Sequence, residues 1–383
     1  MSAAAVAGGR GASWRLGLAG AGAFGAFILE ALAPLPEVTL AAVAARTPAR
    51  RHAAIRRWAE ARRAAGLPAG DVAEVEDARE LCRHPAVDVV AVATPPDLQP
   101  EVARAAIAAG KPVFLEKPGA LYPGDLEEVA RLAEERGVPA AMDFVMRASP
   151  ILERVRAWYR AGWLGAPERW HVENWAGGEL PAGHWFWDPA RSGGVLVEHG
   201  VHFLDEVAWV LNATPGRAWS RAWPHPRLPG VMARCLAVVE YEGTMPGGGG
   251  WHLAASFYHA FVRPEGREHQ VRELGFRNGW LRIAGWIPEA LEGELNPDPQ
   301  GRKALEGDPL VEVTAGPGGS VRVSARLPDR QEAYREMVRA GFRSLLEAAA
   351  GRGRPLAPLA AGVAALAVAR RAVEAALPAG GAR

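Results

Sequence analysis

Between an apolar run at Trp14–Ala19 and a second at Ala26–Leu32 lie Gly20-Ala21-Gly22-Ala23-Phe24-Gly25. A G-x-G-x-x-G hexapeptide means little alone in a chain with 44 glycines. Where a strand passes into a helix it has a mechanism. Gly20 allows the tight turn, Gly22 lets the backbone approach a pyrophosphate, and Gly25 lets the helix lie close on the sheet. Ala23 and Phe24 complete the turn, and the unpaired N–H groups of the helix that follows favour an anion. A purely structural glycine-rich turn would use the same residues. The next hundred residues keep the rhythm this turn begins. Val38–Ala45 and Val87–Ala93 are continuous apolar runs, as parallel strands buried on both faces require. Val113–Glu116 and Pro139–Phe144 follow as further strands. Helix-like segments alternate with them at Pro48–Ala65, Pro100–Ala109 and Asp125–Glu135, with Gly66, Gly110 and Gly137 as stops. The pattern predicts an α/β domain with a doubly wound parallel sheet over 14–146.

The pattern changes near Arg147–Pro150. A helix at Ile151–Arg160 is followed by strand-like segments at Arg169–Trp175, Arg234–Glu242, Trp251–Ala260, Gln270–Leu274, Trp280–Ala284 and Ser320–Ala325. Gly243–Gly250 reads as a hairpin tip. A helix is expected at Val195–Leu211, and two more at Asp329–Ala350 and Leu359–Ala376. These features predict an α+β domain with an open, largely antiparallel sheet over 147–383. Residues 1–13 read as a flexible leader. The length of 383 residues suits two such domains.

Composition narrows the function. The chain carries 44 Lys+Arg against 43 Asp+Glu, a formal charge of +1, which disfavours an electrostatic nucleic-acid binder. No run of apolar residues is long enough for a membrane span, and Met1–Ala12 lacks the charged start and apolar core of a signal peptide. The expected address is the cytoplasm. Cys82 and Cys235 form no CxxC pair and read as buried, idle thiols. Lys111, Lys117 and Lys303 are the only lysines in an arginine-rich chain, which draws attention to Lys117.

Roughly twenty residues beyond the glycine-rich turn, an NAD-binding sheet offers Asp or Glu to the ribose 2′-hydroxyl. Here that slot is Ala45, followed by Arg46, Thr47, Arg50 and Arg51. A positive cluster without a carboxylate favours a 2′-phosphate, hence NADP over NAD. The plainer alternative is a solvated helix face in an arginine-rich protein.

Ala93-Thr94-Pro95-Pro96, Ala108-Ala109-Gly110-Lys111-Pro112 and Glu116-Lys117-Pro118 occur in order, followed by Ala161-Gly162-Trp163-Leu164-Gly165 and Gly193-Gly194-Val195-Leu196-Val197-Glu198-His199-Gly200-Val201-His202. Together they resemble the glucose–fructose oxidoreductase, inositol dehydrogenase and MocA family, from about Leu16 to the last helix. The resemblance implies a Rossmann domain, an open-sheet substrate domain, and hydride transfer between nicotinamide and a hydroxyl or carbonyl carbon, often of a sugar or cyclitol. It places cofactor contacts on Thr94, Pro95, Glu116 and Lys117. It makes Lys117 the catalytic lysine, Glu198 the carboxylate and His202 the histidine. It also implies self-association through the open sheet, as a homodimer or homotetramer. Two departures stand out: Glu198 occupies a position where the family usually has Asp, and Gln99 one where it commonly has His.

The chemistry has its own logic. Oxidising a secondary alcohol removes a hydroxyl proton as hydride leaves carbon, and histidine is the side chain best poised for that proton. An ammonium stabilises the developing alkoxide. Glu198 and His202 are spaced i,i+4, so a helix puts them on one face, where the carboxylate can orient the imidazole. Trp185, Trp187, Asp188 and Arg191 just upstream would suit a polyhydroxylated ring as flat faces and orienting polar groups; loop packing or a subunit contact would use the same residues. The local His/Asp/Glu spacing matches no common zinc pattern, so no metal is expected. The expected protein is an NAD(P)-dependent dehydrogenase or reductase acting on CH–OH groups. Alternatives are a cofactor-retaining glycosidase and a non-catalytic cofactor-binding regulator.

Overall fold

The computed structural model describes residues 13–177, 180–264 and 266–376. The residues read as a leader therefore lie, save Ser13, outside the described ones. The chain divides into two compact units: the chain through Val145 together with Tyr334–Val363, and Met146–Ala333 together with the segment from Ala364 onward.

The first unit alternates strand and helix: β1 (Trp14–Ala19), α1 (Ala23–Leu32), β2 (Val38–Ala44), α2 (Pro48–Ala64), β3 (Ala73–Val75), α3 (Ala78–Arg83), β4 (Val89–Val92), α4 (Gln99–Ala108), β5 (Val113–Leu115), α5 (Pro123–Arg136) and β6 (Ala140–Met142). The strands are parallel in the order β3-β2-β1-β4-β5-β6. Central strands are buried residue after residue, β4 throughout, which explains their unbroken apolar sequence. The order reverses between β1 and β4, the switch point beside which doubly wound sheets bind ligands. The edge strand β3 and the short helix α3, capped by Asp77, have too few residues to show a period and are not evident in the sequence.

The second unit holds α6 (Pro150–Arg160), β7 (Pro167–Gly177), α7 (Pro189–Ser192), a π-helix (Leu196–Gly200), α8 (Val201–Leu211), β8 (Thr214–Pro224), β9 (Met232–Thr244), β10 (Gly250–Arg263), β11 (His269–Phe276), β12 (Gly279–Ala284), β13 (Ala290–Leu295), α9 (Pro299–Glu306), β14 (Glu312–Ala315) and β15 (Val321–Arg326). Among the described residues its sheet has the order β14-β15-β13-β12-β11-β7-β10-β9-β8. Only β7 and β10 pair in parallel, so the largely antiparallel expectation holds. Burial alternates along β9 and β10, the period of a sheet covered on one face. Trp251 Nε1 donates to Tyr159 on α6 at 2.9 Å, and Tyr241 donates to the Leu204 carbonyl on α8 at 3.2 Å. These bonds tie α6 and α8 to the sheet.

Two expectations need correction. The second domain does not run unbroken through 147–383. Helices α10 (Arg330–Ala349) and α11 (Leu359–Glu374) frame a segment, Tyr334–Val363, that completes the first unit. Phe342 packs edge-on against Phe114 at 5.5 Å, Tyr334 stacks on Phe27 at 4.4 Å, and Met142 N–H donates to the Ala357 carbonyl at 2.8 Å. Such contacts across two hundred residues leave no local mark. The helix expected at Val195–Leu211 is also not a single α-helix, because its first turn is the π-helix. Gly193 and Gly194 precede it with φ of 77° and 85°, conformations that favour glycine.

Candidate active site

The carboxyl ends of β1, β4 and β5 stand side by side, and each leads into a turn carrying predicted residues. After β1, Gly20 has φ 104°, and a Cβ there would lie 2.5 Å from the Ala93 carbonyl oxygen. A Cβ on Gly25 would lie 2.0 Å from the Gly20 oxygen. Both positions demand glycine. Gly22 differs: a Cβ would meet nothing within 4 Å, so its surroundings are open. Gly22 caps α1, whose first turn contains no acidic residue, leaving its partial positive charge unopposed. Ala23 is exposed there. Phe24 is half-buried, its ring 6.4 Å from Tyr334.

The basic cluster after β2 separates into two kinds. Arg51 donates to the Ala45 carbonyl at 2.6 Å and to Glu74 at 3.0 Å, so it is a structural brace. Arg46 and Arg50 are exposed at the start of α2, which Thr47 caps. In the turn after β4, the Thr94 hydroxyl is buried and has no hydrogen-bond partner among the described residues, an arrangement that costs free energy until something completes it. Pro95 follows it in the same turn. The open approach at Gly22, the uncompensated α1 terminus and the orphan hydroxyl fit a dinucleotide.

Glu116 and Lys117 follow β5. Lys117 is 9% exposed, its ammonium 3.8 Å from Glu116 Oε1, and the Lys117–Pro118 peptide is cis. Asp143, the residue after β6, is buried and hydrogen-bonded to Glu116. Burial pushes its carboxyl up to about 7, against the pull of Lys117 and of the Glu116 bond. Sequence reading missed Asp143, because its neighbour on β5 is set by register alone. Gln99 opens α4, buried, with its carboxamide between the turns after β4 and β5.

In the second unit, Glu198 lies in the π-helix and His202 in the first turn of α8, 4% exposed. π-Helical turns are rare and concentrate at functional sites. The wider turn replaces the regular α-helical spacing on which the i,i+4 reading rested. No sequence pattern marks the residue that faces this segment, Trp286. Its ring lies 4.6 Å from His199 and 5.0 Å from His202. The turn bearing it is fixed by fully buried Arg272, which donates to the carbonyls of Gly285 at 2.8 Å and Trp286 at 3.3 Å. Arg272 in turn pairs with Glu206 on α8 at 2.8 and 2.9 Å. Arg147 and Asp205 make a second such pair. Beneath the π-helix, His259 is buried next to Asn174, and burial pushes it down to about 3, so it is neutral.

The remaining predicted substrate residues are mixed. Trp185 is partly exposed. Trp187 is buried, its indole N–H donating to the Leu180 carbonyl and its ring edge-on to Phe186. Asp188 caps α7 by accepting from Ala190 N–H at 3.0 Å, and Arg191 is half-buried in that helix. Trp187 and Asp188 thus have packing and capping duties that account for their presence. Cys82 and Cys235 are free and buried, their thiols pushed up to about 11 and about 12 by burial. Among the described residues no helix is long and apolar enough to cross a membrane.

Residues 14–144 match the family model for an oxidoreductase family with an NAD-binding Rossmann fold, and residues 152–269 match the GFO/IDH/MocA C-terminal domain. The rhizopine catabolism protein MocA of Rhizobium meliloti is 29% identical over 202 residues, 53% of this chain and 58% of that protein. The 1,5-anhydro-D-fructose reductase of Ensifer adhaerens is 33% identical over 38% of this chain and 44% of the reductase. Inositol 2-dehydrogenase of Acidothermus cellulolyticus is 28% identical over 48% and 55% respectively. The chain therefore spans about half the length of the curated relatives it matches. A levoglucosan dehydrogenase in complex with NADH and L-sorbose shares the fold with a TM-score of 0.74 at 16% identity, over 95% of this chain and 96% of that one. An oxidoreductase domain protein from Kribbella flavida gives 0.72 at 20% identity, over 95% and 98%. With both family models matched in order and over more than half of its residues, the chain belongs to the Gfo/Idh/MocA family.

Proposed function

We propose that the protein is an NADP(H)-dependent oxidoreductase that interconverts a secondary alcohol and a ketone on a sugar- or cyclitol-like substrate. The observation that carries this is Lys117: an ammonium held nine-tenths buried at the carboxyl edge of the parallel sheet, one strand from the orphan Thr94 hydroxyl. Several relatives are named for inositols or an anhydro-sugar, which supports the substrate class. Gly20, Gly22, Ala23, Phe24 and Gly25 would hold the pyrophosphate, and Thr94, Pro95, Glu116 and Lys117 the nicotinamide end. Exposed Arg46 and Arg50, with Ala45 in place of a carboxylate, support a 2′-phosphate. The bound cofactor supplies the hydride acceptor or donor.

In oxidation, His202 takes the hydroxyl proton, and in reduction it returns one to the carbonyl oxygen. Lys117 supplies an ammonium that stabilises negative charge developing in the reaction. Glu198 orients or recharges the imidazole. Trp185, Arg191 and Trp286 bound the substrate, the indole of Trp286 offering a flat apolar face to a ring. Exposed Met232, Leu236 and Trp280 on the large sheet support self-association as a homodimer or homotetramer, and the cytoplasm is the proposed address. The test is a spectrophotometric panel of sugars, cyclitols and their keto forms with NADP and NAD in parallel. Net turnover with NADP preferred is expected. Tight cofactor binding with no net redox change for any of these compounds would overturn the proposal.

A further inference from the structure

The family resemblance leaves Gln99 unexplained, since it stands where a histidine is common. Its side chain is 1% exposed at the first position of α4. Nε2 donates to the Thr94 carbonyl at 3.1 Å and to the Lys117 carbonyl at 3.3 Å. Oε1 accepts from Gly119 N–H at 2.9 Å. One carboxamide thus spends both donors and its acceptor on two turns that leave adjacent strands, β4 and β5. The Lys117 carbonyl and the Gly119 N–H flank Pro118, so the backbone is pinned immediately after the lysine. Gly119, at φ 84°, sits where a Cβ would lie 3.0 Å from Leu126, so the turn has little room to shift elsewhere.

We propose that Gln99 is a positioning residue for Lys117, locking the lysine turn in register with the Thr94 turn that fits the cofactor. The inference rests on the catalytic reading of Lys117 for its consequence, but its geometry does not. An amide is the neutral side chain of this length with two donors and an acceptor on one planar group. Methionine matches the length and offers none of the three bonds. Histidine offers one donor and one acceptor, enough to hold Gly119 and one carbonyl. Displacement of a reacting group by about 1 Å costs roughly a hundredfold in rate, so the consequence should appear in kcat rather than KM.

The experiment compares Gln99→Met and Gln99→His in the full chain. The first readout is steady-state kinetics. The second is the NMR spectrum of isotope-labelled lysine, which this chain makes simple: Lys303 is exposed, Lys111 donates to the His84 carbonyl, and Lys117 is the third lysine. Gln99→Met should lower kcat at least about tenfold with KM little changed, and move the Lys117 resonance while Lys111 and Lys303 stay. Gln99→His should recover most of both effects. If the wild-type protein proves inactive, a Lys117 resonance that moves in the methionine variant and returns in the histidine variant still supports the positioning role, while the oxidoreductase reading falls. An unmoved Lys117 resonance in Gln99→Met would overturn the inference. So would equal losses in both variants accompanied by equal loss of thermal stability, which would mark a merely structural residue.

Discussion

Replacing Glu206 with glutamine should destabilise the second unit severely. Arg272 and Glu206 are both fully buried, with guanidinium Nε 2.8 and 2.9 Å from the two carboxylate oxygens. The guanidinium also donates to the Gly285 and Trp286 carbonyls and to Met146 Sδ, and it lies 5.0 Å over the Phe203 ring. Arginine has no route to losing its proton inside a protein. Glu206→Gln keeps shape and much hydrogen bonding, so what it isolates is an uncompensated buried charge, worth about 3–5 kcal/mol. Replacing the pair together, Glu206→Leu with Arg272→Met, removes both charges and should cost less than the single change, because two desolvation penalties disappear with the attraction. The double variant still loses the bonds holding the Trp286 turn, so its KM should rise although its stability is largely restored. The assay is chemical denaturation followed by tryptophan fluorescence. All tryptophans except Trp14 and Trp58 lie in the second unit, so the signal reports it. A Glu206→Gln protein within about 1 kcal/mol of wild type would refute the reasoning, since exposed pairs lie in that range.

Three further outcomes are expected. Arg46→Ser should weaken NADPH binding about ten- to a hundredfold, the loss of a charge-assisted hydrogen bond, and leave NADH unchanged; equal effects on both in fluorescence titrations would assign Arg46 to solvent. Gly22→Ala should fold normally yet bind cofactor poorly, because its methyl enters open space, whereas Gly25→Ala should lose stability against the Gly20 carbonyl; thermal melts with cofactor titrations separate the two. Asp143 holds its proton up to about pH 7 in the folded chain, well above the unfolded value of about 3.9. The native state therefore binds the extra proton in between, so this group's contribution makes stability fall as pH rises from about 4 to 7 and level off above. Asp143→Asn should flatten that slope in denaturation midpoints measured across the range, and an unchanged slope would count against a buried protonated carboxyl.

The legible parts of this molecule were those written locally. Continuous apolar strands, glycine stops and the Gly20–Gly25 turn mark the first unit because each depends on neighbours within one βα step. Alternating apolar residues similarly mark β9 to β12, while β8, β13 and β14 carry too few large apolar residues to stand out. Lys117, Glu198 and His202 were implied by the family resemblance that contiguous local segments carry. The partners that shape them have no such local mark: Asp143 meets Glu116 by strand register, Trp286 meets the histidines from the turn after β12, and Arg272 reaches α8 from β11. The π-helix packs on distant residues as well, with Gly200 placed where a Cβ would come 3.5 Å from His259 on β10. Asp188 and Trp187 carry local duties that residue type does not announce, a helix cap and a packed indole.

The most direct measurement is the single-turnover rate of cofactor reduction by Lys117→Met and His202→Gln, at saturating cofactor and the best alcohol from the panel. Each variant should still bind the cofactor, with its hydride-transfer rate lowered about a hundred- to ten-thousandfold. A Lys117→Met protein that reduces cofactor at the wild-type rate would contradict the assignment of the reaction to this lysine.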